Sequence, residues 1–143
     1  AVKSLSACGL LLALSLSVSA AEKEAPVKES RVYEMRVYYA PEGKLDALHA
    51  RFRDHTIGLF AKHGMTNFLY WRPVADQPAM TDNMVYLLAF PSQEARNESW
   101  KAFGADEEWK KVAADSQKTG PMLISPGGVV SVQLTPTDYS PLR

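Results

Sequence analysis

From Val32 to Tyr39 the chain reads Val-Tyr-Glu-Met-Arg-Val-Tyr-Tyr, eight residues dominated by strong β-formers with no glycine or proline among them. Side chains alternate across a strand, so Tyr33, Met35, Val37 and Tyr39 share one face, and Val32, Glu34, Arg36 and Tyr38 share the other. Neither set is purely solvent-like. Such a strand asks for a sheet in which something covers each face, and everything downstream has to supply that cover.

The rest of the chain does so in a recognisable order. After the break at Pro41-Glu42-Gly43, Leu45, Leu48, Phe52, Thr56, Leu59 and Phe60 recur at helical spacing until Gly64, which predicts one helix. Short apolar runs at 65–72, closed by Pro73, and at 84–90 read as two further strands joined by a polar loop. Pro91-Ser92 offers a turn and an N-cap for a helix towards Gly104, and Asp106 can cap a second helical piece carrying Trp109, Val112 and Ala113. Ser125-Pro126-Gly127-Gly128 makes a turn before a last strand at 129–134. The order is β-α-β-β-α-β, an α+β, ferredoxin-like plan in a single domain over residues 31–143.

Ahead of that domain, Lys3 and the apolar run holding Leu10, Leu11, Leu12, Leu14 and Leu16 end at Val18-Ser19-Ala20, after which Ala21-Glu22-Lys23-Glu24 turns charged. This is the pattern of a signal peptide over residues 1–20, and residues 21–30 read as a flexible tether. The expected mature protein is exported, periplasmic or secreted, with no membrane attachment after cleavage. The only cysteine, Cys8, falls within the signal, so the domain offers no disulfide, zinc-thiolate or cysteine nucleophile. Sixteen basic side chains face 16 acidic ones, which gives no electrostatic case for nucleic acid.

Several words along the domain are more specific: Val32-Tyr33-Glu34-Met35-Arg36, Arg51-Phe52-Arg53-Asp54-His55-Thr56, Lys62-His63-Gly64-Met65, Ser99-Trp100-Lys101-Ala102-Phe103, and the closing Leu134-Thr135-Pro136-Thr137-Asp138-Tyr139-Ser140-Pro141. In order and spacing they resemble the NIPSNAP family. The resemblance implies a dimeric α+β barrel, in which two ferredoxin-like sheets from two subunits close on each other with the helices outside. Physical reasoning leads to the same homodimer, because helices on one side of a four-stranded sheet leave the other side bare. Val32, Tyr38 and their neighbours are expected on that bare side. Glu34 and Arg36 would then form an ion pair within the barrel, fixing strand register or dimer geometry or contributing to a binding site.

Candidate chemistry rests on few residues. All three histidines, His49, His55 and His63, fall in the first predicted helix, with His49 and His63 near its apolar stripe and His55 at the edge. A histidine at a helix–sheet boundary can serve as acid or base, or simply fill the edge of a core. Their spacing lacks the i, i+4 pair that grips one metal ion on a helix, so no metal site is expected. No cofactor motif is present: glycine-rich phosphate loops, dinucleotide fingerprints and nucleophile elbows are all missing.

Tyr33, Met35, Tyr70, Trp71, Trp100, Phe103 and Trp109 form an aromatic-rich set suited either to a plain core or to walls around a flat apolar ligand. The first functional expectation is a homodimeric small-molecule-binding or interaction protein, with Met35, Trp71, Trp100, Phe103, His49 and His63 in the binding set. The alternative is a cofactor-independent oxygenase or cyclase acting on an aromatic or polyketide-like molecule, with His55 as acid/base and Tyr33 or Tyr70 as orienting donors. Haem binding through His55 or His63 ranks below both.

Overall fold

The computed structural model describes residues 31–74 and 82–141; the expected signal and tether, residues 1–30, lie outside the described residues. Strand β1 (Val32–Tyr39) is followed by a helical stretch, then β2 (Thr66–Trp71), β3 (Asn83–Phe90), helices α3 (Gln93–Ala105) and α4 (Glu107–Ser116), and β4 (Val129–Leu134). The four strands form one antiparallel sheet in the order β2-β3-β1-β4, which puts β1 in the interior. This is the expected ferredoxin-like arrangement.

The helical stretch is not the uniform helix that the spacing predicts. It consists of α1 (Leu45–Arg51), a π turn (Phe52–Thr56) and α2 (Ile57–Lys62). In the π turn the Ile57 amide reaches back five residues to the Phe52 carbonyl, and the Thr56 hydroxyl donates to the Arg51 carbonyl at 3.3 Å. The wider turn rotates every later side chain about the helix axis, so angular positions counted at 100° per residue fail beyond Phe52. Gly64, at φ +78°, ends the stretch, with the Met65 amide returning to the Phe60 carbonyl at 3.0 Å.

The second helical region begins and divides where its caps predict. Ser92 accepts from the Ala95 amide at 3.1 Å, and Asp106 accepts from the amides of Glu108 and Trp109 at 2.7 and 3.3 Å. All the described helices pack on one face of the sheet. The core there joins Tyr38, Met84, Tyr86, Leu88 and Phe90 from the strands to Leu48, Phe52, Leu59, Phe60 and Phe103 from the helices. Tyr38 meets Phe52 edge-on at 5.8 Å and Tyr86 at 5.2 Å, a geometry that aromatic quadrupoles favour.

The two faces of β1 are therefore reversed from the sequence expectation. Glu34, Arg36 and Tyr38 lie beneath the helices, with Glu34 fully buried; Met35 and Val37 occupy the face the helices leave open. Alternation divides a strand into two sets without saying which one turns inward. Here the partners that Glu34 needs are supplied by α3 and β4.

Candidate functional site

On the helix side, the Glu34 carboxylate accepts four hydrogen bonds. Oε1 takes Arg36 Nη1 at 3.0 Å and Ser131 Oγ at 2.6 Å; Oε2 takes Arg96 Nε and Trp100 Nε1, both at 2.7 Å. The Arg36 guanidinium also lies over the Trp100 ring at 4.3 Å. Burial alone would raise the Glu34 pKa, but the bonds from Arg96, Ser131 and Trp100 and the charge of Arg36 outweigh it and hold the carboxyl below its ordinary value. With its lone pairs occupied, this carboxylate is a clamp between β1, β4 and α3. It cannot act as a free base.

On the opposite face, Met35 and Val37 of β1 sit between Leu87 and Val85 of β3 and Val132 and Val130 of β4, with Trp71 at the end of β2. Val130, Val132 and Leu134 are each about two-fifths exposed and Trp71 more than half, an unusual density of bare apolar side chains for one surface. At one end, Tyr33, Phe68, Leu87, Leu134 and Pro136 line a cleft of ≈ 290 Å³. Tyr33 meets Phe68 edge-on at 5.5 Å.

A second concavity, of ≈ 500 Å³, lies on the outside between α1 with its π turn and α4; Arg51, Asp54, His55, Ser116 and Met122 are among its lining residues. His55 is exposed on its rim, turned outward by the π turn.

The other candidates are dispersed. Tyr70 is on the helix side, stacked on Tyr86 at 5.6 Å, with its hydroxyl donating to Asn67 Oδ1; burial holds its pKa well above the ordinary value. Tyr33 is on the other side of the sheet, so the structure does not bring His55, Tyr33 and Tyr70 together as one acid/base constellation. The binding set is split too: Trp100 and Phe103 lie under the helices, while Met35 and Trp71 are on the open face. The sheet itself is the barrier.

His63 Nε2 is bonded to Asp106 Oδ2 at 2.6 Å, joining the end of α2 to the start of α4. His49 is half-buried, its Nε2 has no hydrogen-bond partner, and burial followed by the charge of Arg72 lowers its pKa. Among the described residues no cluster of His, Cys, Asp or Glu is fit to hold a metal ion.

Sequence reasoning overlooked Arg51, Arg96 and Ser131. Arg51 left a trace: it stands three residues after Leu48 and immediately before Phe52, inside the helix's apolar stripe, where a charge needs a reason.

Comparison with known proteins bears on this architecture directly. The NIPSNAP family model matches residues 33–141, from the first strand through the closing Pro-Thr-Asp-Tyr segment. The chain belongs to the NIPSNAP family. Solved NIPSNAP structures share the fold: a family protein of unknown function from Agrobacterium tumefaciens is 20% identical, with a TM-score of 0.67 over 80% of this chain and 96% of that one. A NIPSNAP-like domain protein from Burkholderia xenovorans is 17% identical, with a TM-score of 0.67 over 79% and 90%. The same NIPSNAP fold extends to a Caulobacter crescentus protein described as a putative antibiotic biosynthesis monooxygenase, 16% identical, with a TM-score of 0.53 over 78% and 93%. Among curated proteins, none matches the chain.

Proposed function

We propose that this NIPSNAP domain is an exported homodimer that binds a small molecule or a protein partner, with two copies packed sheet against sheet. The observation that carries the reading is the open face of the sheet. Met35, Val37, Leu87, Val130, Val132 and Leu134 form a continuous, uncharged surface across three adjacent strands, and no helix among the described residues covers it. A second copy is the occupant that fits, because a twofold axis matches one uncharged apolar face to another without any unpaired charge. Such packing would also roof the cleft beside Tyr33 and Phe68, turning an open concavity into an enclosed apolar cavity.

The test is native mass spectrometry of the exported protein purified from its own host, with light scattering across a range of concentrations. A dimer retaining a low-mass ligand supports both halves of the proposal. A monomer at all accessible concentrations rejects the dimer, and a dimer that releases no ligand and captures no partner rejects the binding role.

A further inference from the structure

Arg51 is only 8% exposed, and its Nε has no hydrogen-bond partner. Its contacts are modest: Nη1 donates to Ser116 Oγ at 3.3 Å, and the guanidinium faces the Trp109 ring at 5.3 Å. Among the described residues no carboxylate forms an ion pair with it. The two acidic side chains lining the same groove do not answer it, since Asp115 is held by Lys111 and Lys118, and Asp54 is exposed and forms no ion pair with Arg51. The buried Glu34 is already saturated by Arg36, Arg96, Trp100 and Ser131. A guanidinium this far removed from water without a carboxylate carries an uncompensated desolvation cost, which an anion in the groove beside it would offset.

The surroundings define what could arrive. The groove of ≈ 500 Å³ has the volume of a small-ligand site, and Ala47, Ala50, Val112 and Met122 give it apolar walls. One unanswered cation with Asp54 and Asp115 on the rim suits a single negative charge and disfavours a multiply charged anion such as phosphate. A planar guanidinium is matched to a carboxylate, which it can grip with two parallel hydrogen bonds.

We propose that the groove between α1 and α4 binds a small organic acid, its carboxylate paired with Arg51 and its apolar body lying against Ala47, Ala50, Val112 and Met122. This rests on the ligand-binding half of the proposed function and is independent of the dimer, because the groove is on the helical side.

The test measures thermal stability and calorimetric binding of the mature protein with acetate, octanoate and benzoate, with the matching amides, and with inorganic phosphate. Octanoate or benzoate at millimolar concentration should raise Tm by several degrees, whereas the amides and phosphate should not. Arg51→Met should abolish the response without lowering Tm in the absence of ligand, since it removes an unpaired charge and keeps an apolar side chain of similar reach. Ala47→Trp, at an exposed rim position, should block the groove with Arg51 intact.

The proposal is overturned if no carboxylate binds, if amides or phosphate bind as well, or if the response survives in either variant. A protein that does not bind carboxylates and is destabilised by Arg51→Met assigns the guanidinium to packing on Trp109. Light scattering on the same samples reports the dimer separately: a monomer that still binds benzoate sinks the dimer and leaves the groove standing.

Discussion

Glu34 shows how much a single side chain can depend on its setting. With Arg36 and Arg96 both paired to it, removing its charge leaves two guanidinium groups without their anion in a largely buried place. Glu34→Gln should lower stability by about 3 kcal/mol, read from urea denaturation at neutral pH. Its depressed pKa gives the sign of the acid response. In the unfolded chain the carboxyl protonates near its ordinary value of 4.5, in the folded protein only below that. The stability it contributes is therefore complete above pH 4.5 and is lost as pH falls through the folded-state value. A Tm profile from pH 7 to 3 should show this loss, and the profile of Glu34→Gln should lack that component.

His49 works in the same direction in a different window. Its folded-state pKa lies below the ordinary 6.5, so as pH falls below 6.5 the unfolded chain takes up the proton first and the fold is weakened. His49→Met should flatten the Tm profile just below pH 6.5. An unchanged slope in that variant would assign the effect to another group.

At the level of elements, the π turn is the departure with the largest consequence. Leu45, Leu48, Phe52, Thr56, Leu59 and Phe60 satisfy a plain α-helical spacing, and nothing in the residue types announces an i to i+5 turn. Two things support it: tertiary packing, with Phe52 and Phe60 both on Tyr86 at 5.2 and 6.0 Å, and a local bond from the Thr56 hydroxyl to the carbonyl of Arg51. Thr56→Val should lower stability by about 1 kcal/mol, since the buried hydroxyl and its bond are lost with little change in shape. Equal stability of the two proteins in urea would show that the bond is dispensable.

The junction of α3 and α4 offers a second test. Asp106 caps α4 and also bonds Lys62 at 2.8 Å and His63 at 2.6 Å, so one carboxylate pins two helical regions together. Asp106→Asn keeps the cap and loses the charge, whereas Asp106→Ala loses both. Tm should therefore fall in the order parent, Asn, Ala, and coincident Asn and Ala values would dismiss the cap.

For the whole molecule, the open sheet face decides the behaviour. If two copies meet there, Tm rises with protein concentration, because association draws the folded chain away from the unfolded one. Val132→Glu places a charge opposite Met35 in the middle of that face and should yield a monomer with a concentration-independent Tm. A parent protein whose Tm ignores concentration, or a Val132→Glu dimer, would move the interface elsewhere.

The order of elements, the caps at Ser92 and Asp106 and the glycine stop at Gly64 were all legible in the sequence, as was the family likeness. Each rests on local chemistry: β-formers in alternation, apolar spacing, a side chain that bonds the nearest amides. Which face of β1 turns inward was not legible, because alternation is symmetric and both faces are apolar enough to be buried. Packing resolved it by bringing Arg96, Trp100 and Ser131 to Glu34 from positions more than 60 residues away. The dispersal of His55, Tyr33 and Tyr70, and the isolation of Arg51 beneath α4, have the same origin. A residue's spacing along an element says which neighbours share its face, and only the tertiary structure says what that face meets.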